Sequence, residues 1–276
     1  MEKTAQFDII CNMKTISLAS GSKGNCIYIE SKNAKVLIDL GLTASAVCEK
    51  LQQISVDPKD ITAIFITHEH IDHCLGVGAF ARKYKTKIYV HTSGYPYVIK
   101  KIGKIAPEQV VSFVNSEFYV EDLIITPFVL PHDSNFCVGY SFVCGKNKIS
   151  IATDLGFMSE KTLGYLGKSD VLYIESNHDE KMLLNNPKYS ASLKTRILSN
   201  RGHLSNVACG KALVELVKSG VKQVVLSHLS EENNTPSLAY NTVKKVLANN
   251  GIIEGENVYV DVATQGKIGT LFEIKD

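Results

Sequence analysis

The heptapeptide Thr67-His68-Glu69-His70-Ile71-Asp72-His73 carries the strongest signal in this chain. It closes an apolar, β-branched run, residues 61–67, of the kind that forms buried strands. Where that strand ends and a helix begins, the first two histidines project to one side, and Asp72 and His73 enter the next turn and point at the same place. Three imidazoles and a carboxylate so close together suit a divalent metal ion. The heptapeptide therefore predicts a metal site at a strand end.

Outward from this motif, short β-branched runs alternate with longer segments of helical spacing. The runs predict strands at 15–19, 26–30, 35–38, 61–67, 87–90, 123–129, 140–144, 148–152, 171–174, 223–226 and 258–260. The segments predict helices at 43–53, 75–83, 190–199, 205–218 and 237–249. This mixture indicates an α/β protein. Because no Pro-, Ser- or Gly-rich linker interrupts it, a single domain is favoured over two tethered ones.

Composition excludes several classes of protein. With 276 residues, 45% of them hydrophobic, the chain has the composition of an ordinary folded protein. A net charge of +2 is too small to attract the whole molecule to nucleic acid or anionic lipid, although a local patch of basic residues could still bind either one. No signal-peptide pattern and no apolar run of about 20 residues is present, so neither secretion nor a membrane span is expected. Seven scattered cysteines without a Cys-x-x-Cys pair predict reduced thiols and a cytoplasmic location.

Two segments of the chain are similar to one another. Residues 24–41 and 139–156 both contain a predicted strand, a turn, a second strand and then Asp-Leu-Gly, and Asp39 and Asp154 stand at the same place in the two segments. Each half then supplies a later strand that ends in a histidine, His68 or His228. The pattern predicts two related halves, with a chance similarity between two hairpins as the alternative.

Three further residues follow predicted strands: His132, Asp154 and His228. Each one alone is typical of a capping or core residue. Taken with the heptapeptide, however, their order resembles the metallo-β-lactamase superfamily pattern of HxHxDH, then His, then Asp, then His. This resemblance covers nearly the whole chain, and HxHxDH is its specific part.

The resemblance implies a four-layer αββα sandwich, the metallo-β-lactamase fold, with two divalent metal ions in the cleft between the sheets. By position, His68, His70 and His132 would hold one ion, Asp72, His73 and His228 the other, and Asp154 would bridge them. Asp39 matches a structural aspartate of the family that orients the ligands. A histidine at position 70 favours a hydrolase over a redox enzyme. Zinc or manganese is the expected metal, with iron as a further option.

Two cations close together lower the pKa of a bridging water, so hydroxide becomes the expected nucleophile, with Asp72 beside it. A phosphodiester substrate also needs a proton donor near the leaving oxygen, and His203 is the candidate. Ser205 is an expected helix N-cap, so this loop, with Asn206, suits a phosphate; a capping histidine without chemistry is the alternative. Five basic and no acidic residues in 181–201 predict a stripe for a nucleic-acid backbone or, almost equally, a solvated helix face.

Three stretches, residues 18–25, 175–179 and 202–206, resemble the YycJ (WalJ) branch of the superfamily. That resemblance implies a 5′ to 3′ exonuclease that binds DNA by its phosphates, with little sequence preference, and acts in repair or replication. His178 is then expected to touch substrate or metal from the cleft rim. Because the branch usually starts near Met13, residues 1–12 are expected to be an extension before a single domain, 13–276. The alternatives are a hydrolase of small cyclic or nucleotide phosphodiesters and a non-catalytic, metal-stabilised regulatory protein.

Overall fold

Two seven-stranded sheets form the centre of the structure, a computed structural model that describes residues 11–275. The first sheet contains β1 (Met13–Ala19), β2 (Cys26–Glu30), β3 (Lys35–Ile38), β4 (Ala63–Phe65), β5 (Lys87–His91), β6 (Val110–Phe113) and β14 (Phe272–Ile274). The second contains β7 (Phe118–Val120), β8 (Leu123–Leu130), β9 (Cys137–Cys144), β10 (Asn147–Ala152), β11 (Val171–Glu175), β12 (Gln223–Ser227) and β13 (Tyr259–Val262). The strand orders are β14-β1-β2-β3-β4-β5-β6 and β7-β8-β9-β10-β11-β12-β13.

Helices follow the strands of both sheets. The first half supplies α1 (Ala44–Gln53), α2 (Ile71–Cys74), α3 (Val77–Tyr84) and α4 (Tyr95–Ile102). The second half supplies α5 (Glu160–Leu166), α6 (Glu180–Asn185), α7 (Ala191–Ile197), α8 (Asn206–Lys218) and α9 (Pro236–Ala248). Several begin at a Ser, Thr or Asp whose side chain accepts a backbone N–H bond, namely Thr43, Ser159, Asp179, Ser190, Ser205 and Thr235. Within residues 11–275, no helix combines the length and apolar character needed to cross a bilayer.

Three hydrophobic clusters show how the layers pack. The central cluster lies between the two sheets and contains aromatic side chains of both, such as Phe65 and Phe142. A second cluster joins the outer face of the first sheet to α1, α3 and α4. A third joins the outer face of the second sheet to α5, α8 and α9. The order is helix, sheet, sheet, helix, so the predicted four-layer αββα fold is confirmed.

The two sheets have the same pattern of strand pairing. In the strand orders given above, the first four strands of each sheet pair antiparallel with one another, and the later neighbours pair parallel. By position in this order, β3 corresponds to β10 and β4 corresponds to β11. Asp39 and Asp154 follow counterpart strands, as the sequence suggested. His68 and His228 do not, because His68 follows β4 whereas His228 follows β12, the counterpart of β5. Each half therefore has a later strand followed by a histidine, but the two strands are not counterparts, and duplication of the halves stays a prediction.

Several elements differ from the sequence predictions. The strands β6, β7 and β14 and the helices α4, α5 and α6 were not predicted. The expectation of reduced thiols is wrong for one pair, since Cys11 and Cys144 form a disulfide across 133 positions, a distance over which spacing rules give no signal. Cys11 is buried and belongs to the predicted extension, of which residues 1–10 lie outside the described part of the chain.

The glycines of the repeated Asp-Leu-Gly sequence allow close backbone approach. A Cβ atom at Gly41 would lie 1.6 Å from the carbonyl oxygen of Asp72, and one at Gly156 would lie 2.2 Å from the carbonyl carbon of Asn200. The first glycine therefore packs on the helix α2, and the second on the loop that leads to His203. In each half, this glycine lets a loop with site residues lie against the sheet.

We predict that Gly41→Ala destabilises the protein. The added methyl group must displace the α2 backbone, and overpacking of this kind costs about 3 kcal/mol. Gly164→Ala is the matched control, because a Cβ there meets nothing within 4 Å and lies within the helix α5, where alanine gains about 0.5–1 kcal/mol. Urea unfolding measures both free energies of unfolding, and equal midpoints for Gly41→Ala and the unaltered chain would contradict the packing argument.

Candidate metal centre

Polar side chains gather where parallel strands end. Asp39 follows β3, His68 lies just beyond β4, Asp154 lies just beyond β10, Glu175 is the last residue of β11 and His228 follows β12. The carboxyl ends of parallel neighbours meet at the same edge of a sheet. Because the two sheets face one another, the two rows of side chains meet at one rim of the sandwich.

The backbone turns sharply at three of these residues. The φ angles of Asp39, Asp154 and His228 are 59°, 63° and 57°, in the left-handed region. Such a conformation costs about 1–3 kcal/mol in a residue other than glycine. It ends the strand abruptly and turns the side chain towards the cleft instead of along the sheet.

The heptapeptide histidines lie where the sequence predicted. His70 is the residue before α2, and Asp72 and His73 lie within that helix. Ligand atoms of His68, His70 and His132 lie within 4.8 Å of one another, as do those of Asp72, His73 and His228. A third group of His68, His73 and Asp154 connects these two. The structure thus brings all seven predicted ligands into one continuous cluster.

The donor atoms of this cluster suit a metal ion. Nε2 of His68 is fully buried and, within the described part of the chain, has no hydrogen-bond partner. A buried nitrogen without a partner is costly unless something else binds it. Imidazole and carboxylate donors together match zinc, manganese or iron. The residues present therefore fit divalent cations, although the identity and number of the ions stay predictions.

Asp154 lies at the electrostatic centre of the cluster. Its carboxylate is 3.1 Å from His73 Nε2 and 3.4 Å from His228 Nε2. Burial opposes the charged form, but these imidazoles hold the pKa of Asp154 well below its usual range. In return, although burial lowers it, Asp154 and the other carboxylates raise the pKa of His228 to about 10. Metal binding would release such protons from the ligands.

The other histidine group has a different electrostatic character. Burial, with a contribution from His73, lowers the pKa of His68 well below its usual range. Burial also lowers the pKa of His132. Both rings are therefore neutral at pH 7, which is the form that donates a lone pair to a metal.

Asp39 positions the heptapeptide from beneath. Its carboxylate accepts hydrogen bonds from the Thr67 backbone N–H at 2.9 Å and the Thr67 hydroxyl at 2.8 Å. It also lies 2.7 Å from His73 Nδ1. This bond fixes the ring so that Nε2 points into the cluster. The geometry agrees with the orienting role that the resemblance implied.

The segment 20–25 packs against the other side of the cluster. The backbone N–H of His228 donates to the Ser20 hydroxyl at 2.7 Å. Asn25 donates its backbone N–H to the carbonyl oxygen of Asp72 at 2.8 Å, and its side-chain amide lies 3.2 Å from His73 Nε2. Asn25 was not among the predicted site residues, since an asparagine after glycine is also typical of a plain turn.

Glu175 is a site residue that the sequence reasoning missed. It is fully buried, and its Oε1 lies 2.7 Å from His203 Nδ1 and 3.0 Å from His228 Nδ1. Its Oε2 accepts backbone N–H bonds from Leu155 and Leu204, both at 3.0 Å. Burial disfavours its charge, but the imidazoles hold the pKa of Glu175 at about 2. An acidic residue at the end of an otherwise apolar strand was the signal available.

His203 lies at the open side of the cluster, with 17% of its side chain exposed. Its Nδ1 is also 3.6 Å from Asp154. Burial opposes protonation, but the Glu175 carboxylate outweighs it and raises the pKa of His203. The second ring nitrogen, Nε2, makes no hydrogen bond with any described residue, so when the ring is protonated this nitrogen is a donor available to a ligand in the cleft.

The three residues predicted to bind substrate lie behind His203, and their placement does not favour that role. Ser205 caps α8 and donates to Glu180 at 2.8 Å. Asn206 is 1% exposed and its amide is engaged by Ser176 and Asn234. His178 is also 1% exposed, and neither of its ring nitrogens has a partner within residues 11–275. Substrate binding by these residues stays a prediction, and His178 alone retains unused donor or acceptor capacity.

The basic stripe in 181–201 is largely engaged by the protein itself. Lys188 pairs with Glu232 at 2.8 Å, and Arg196 pairs with Asp133 at 2.6 Å. Arg201 donates to the carbonyl oxygen of His132, at 3.0 and 3.1 Å. The bonds made by Arg196 and Arg201 hold the loop that contains His132 beside α7. The segment therefore supports the cluster instead of presenting a row of free cations.

We predict that Asp39→Ala lowers the free energy of unfolding by about 3–5 kcal/mol, because it leaves buried donors unpaired. Asp60→Ala is the control, since Asp60 forms an exposed ion pair with Lys35 at 2.8 Å and such pairs contribute at most about 1 kcal/mol. Urea unfolding measures both. A loss for Asp39→Ala no larger than that for Asp60→Ala would show that the buried carboxylate is not the support described above.

Comparison with known proteins agrees with this geometry. The sequence profile of the Metallo-beta-lactamase superfamily matches residues 19–228. Exodeoxyribonuclease WalJ of Streptococcus pneumoniae is 36% identical over 234 residues, which cover 84% of this chain and 87% of that protein. Exodeoxyribonuclease YycJ of Bacillus anthracis is 34% identical over 240 residues, covering 87% and 90%.

Solved structures show the same architecture. The metallo-beta-lactamase fold protein YhfI from Bacillus subtilis superimposes with a TM-score of 0.71 at 16% identity, covering 95% of this chain and 99% of that one. At that identity the likeness concerns the fold alone. The sequence matches go further: the chain belongs to the metallo-beta-lactamase superfamily and, within it, to the branch that contains WalJ and YycJ.

Proposed function

We propose that this chain is a metal-dependent exonuclease that degrades DNA from the 5′ end. The observation that carries the proposal is the position of His203, a proton donor held at the open side of a buried His/Asp cluster. Support for DNA as the substrate comes from the two relatives, which are named exodeoxyribonucleases. The cluster suits phosphodiester hydrolysis because that reaction needs positive charge at the phosphate and a proton at the leaving oxygen.

The proposed ligands divide into two groups that share Asp154. One group is His68, His70 and His132, and the other is Asp72, His73 and His228. Divalent cations bound there, zinc or manganese in this proposal, would supply Lewis acidity, which lowers the pKa of water and neutralises phosphate oxygens. The chain's own part is to hold these donors rigidly, through Asp39 on one side and Glu175 on the other.

His203 is the proposed general acid. Glu175 accepts the Nδ1 hydrogen bond at 2.7 Å, which fixes the ring and keeps it protonated. The proton on Nε2 is then the one transferred to the leaving oxygen as the phosphodiester bond breaks. Because Glu175 also bonds His228 at 3.0 Å, the same carboxylate couples the position of the acid to that of a ligand.

Asp72 is the proposed second catalytic group. Its side chain is partly exposed, at 19%, and lies 3.4 Å from both His73 Nε2 and His228 Nε2. Burial opposes its charge, but the two imidazoles hold the pKa of Asp72 well below its usual range, so it is a hydrogen-bond acceptor at neutral pH. In this proposal it orients the attacking water. Recognition of the phosphate backbone gives little sequence preference, and a cytoplasmic location stays part of the proposal.

The first test is digestion of duplex DNA labelled separately at each 5′ and 3′ end, with Mn²⁺ or Zn²⁺ added. We expect nucleotides to be released progressively from the 5′ end, and chelation with EDTA to stop the release. The variants His68→Ala and Asp154→Ala, each of which removes a proposed ligand, should release none. Release of nucleotides from the 3′ end would overturn the proposed 5′ to 3′ direction. Hydrolysis of small phosphodiesters but not of DNA would overturn DNA as the proposed substrate.

The second test separates chemistry from metal binding. We expect His203→Ala to reduce kcat on DNA by about 10²–10⁴-fold, the range for loss of a general acid. Glu175→Gln should also lower kcat on DNA, because it removes the negative charge that favours the protonated form of His203. Metal content, measured by elemental analysis after dialysis, should stay at the wild-type value for His203→Ala. Loss of metal from that variant would instead make His203 a ligand.

A further inference from the structure

The most one-sided charge in the chain lies on α3, α4 and the segments beside them, which contain none of the predicted metal ligands. Residues 74–107 contain seven basic and no acidic side chains, in a chain whose net charge is only +2. They are Arg82, Lys83, Lys85, Lys87, Lys100, Lys101 and Lys104. A local surplus of this kind attracts a polyanion even when the whole molecule is nearly neutral.

Most of these cations make no ion pair and no bond to a backbone carbonyl, although Lys83 and Lys100 lie over the rings of Tyr84 and Tyr97. Arg82 is the exception, since it donates to the carbonyl oxygens of Ile102 and Lys104 and so fixes the end of α4. Across residues 11–275, none of the six lysines of the set forms an ion pair. In the 181–201 stripe, by contrast, Lys188 and Arg196 form ion pairs, and Lys194 and Arg201 donate to backbone carbonyl oxygens. Free lysines on a helix are what a nucleic-acid backbone requires.

Aromatic side chains are interleaved with the lysines on α4. Tyr95 and Tyr97 are 37% and 38% exposed, and Lys100 lies over the ring of Tyr97 at 5.9 Å. Rings exposed to this extent beside lysines form the kind of surface on which unpaired bases stack. A double helix, whose bases are already stacked, cannot use such rings.

A groove runs between α4 and the edge strand β6. Its volume is about 450 Å³, and it is lined by Tyr95, Ile99, Lys104, Ile105, Pro107, Val110 and Ser112. The lining is mostly apolar, and its polar side chains are Tyr95, Lys104 and Ser112. A groove of this size has room for a base and its sugar but not for a double helix.

The first turn of α4 lies close to the candidate metal centre. The helix packs on α2, which contains Asp72 and His73. Gly94, just before α4, approaches Phe136, four residues after His132. Phe136 stacks on His91 with ring centroids 4.2 Å apart, which holds the end of β5 against that same loop. A single strand of DNA that lies along α4 would therefore lead to the rim of the sandwich, where the predicted metal ligands lie.

We propose that α4 and β6 form the binding path for a single-stranded stretch of DNA, with Tyr95 stacking a base at the groove and Lys100, Lys101 and Lys104 contacting its phosphates. This inference rests on the proposed function, since it describes how the same site receives its substrate. It places a recognition surface in the first half of the chain, whereas the sequence left 181–201 open between a backbone-binding stripe and a solvated helix face.

The test measures binding by the full chain of a fluorescein-labelled phosphorothioate oligothymidine, which resists hydrolysis, as anisotropy across a salt series. The double variant Lys100→Ala/Lys101→Ala should bind more weakly. The slope of log K against log salt should fall by about 1.4, at about 0.7 for each lost phosphate contact of a single strand. The matched control is Lys244→Ala/Lys245→Ala, an exposed Lys-Lys pair on α9, which should bind as the unaltered chain does.

A second variant tests stacking independently of charge. Tyr95→Ala should weaken binding by about 5- to 150-fold, the effect of losing one stacked base. Tyr259→Ala, which removes an exposed ring from β13, is its control and should have no effect. Unaltered binding by both α4 variants, or equal losses in the α9 control, would overturn the proposed path. Because binding is read without turnover, this outcome is distinguishable from failure of the end-labelled digestion, which tests the nuclease itself.

Discussion

A carboxylate buried among imidazoles is the constraint around which this structure is organised. Asp154 is 1% exposed, and His73, His132, His203 and His228 all have a ring nitrogen within 3.7 Å of its oxygens. A buried charge is tolerated only when it is paired and held by hydrogen bonds. The surrounding fold supplies the pairing from both halves, since His73 comes from the first sheet's side and His228 from the second's, whereas Oδ2 of Asp154 has no hydrogen-bond partner among residues 11–275.

The backbone at the cluster is strained because residues of the cluster lie directly after strand ends, where the chain must turn sharply. Asp39, Asp154 and His228 all adopt left-handed φ angles, and each follows a strand that is hydrogen-bonded to a neighbouring strand on both sides. Strain of this size persists only where the surrounding structure determines it. Here the sheets fix the strand ends, and the bonds to Thr67, Ser20 and Glu175 fix the side chains. Rigid donors of this kind are what a metal site requires.

The sequence predicted the centre of the fold well and its edges poorly. The strands β2 and β3 were placed at their observed bounds because nearly every residue in them is buried, with alternate residues facing the central and the outer cluster. The three strands that were missed, β6, β7 and β14, are all edge strands, with only one or two fully buried residues each. An edge strand is buried on fewer sides, so its apolar signal is weak. The HxHxDH motif was detectable because its ligands are adjacent in sequence.

Residues whose role depends on distant contacts could not be predicted in this way. Glu175 acquires its role from His203 and His228, which lie 28 and 53 positions away. The pairing of two cations in the stripe 181–201 could not be predicted for the same reason, since their partners Asp133 and Glu232 lie far along the chain. A count of charges in a window cannot show which are paired. The free lysines of α4 become visible only when every ion pair of the fold is known. The buried carboxylates of the cluster repel phosphate until cations bind. Attraction of DNA to α4 and hydrolysis of DNA at the cluster therefore depend on different charges.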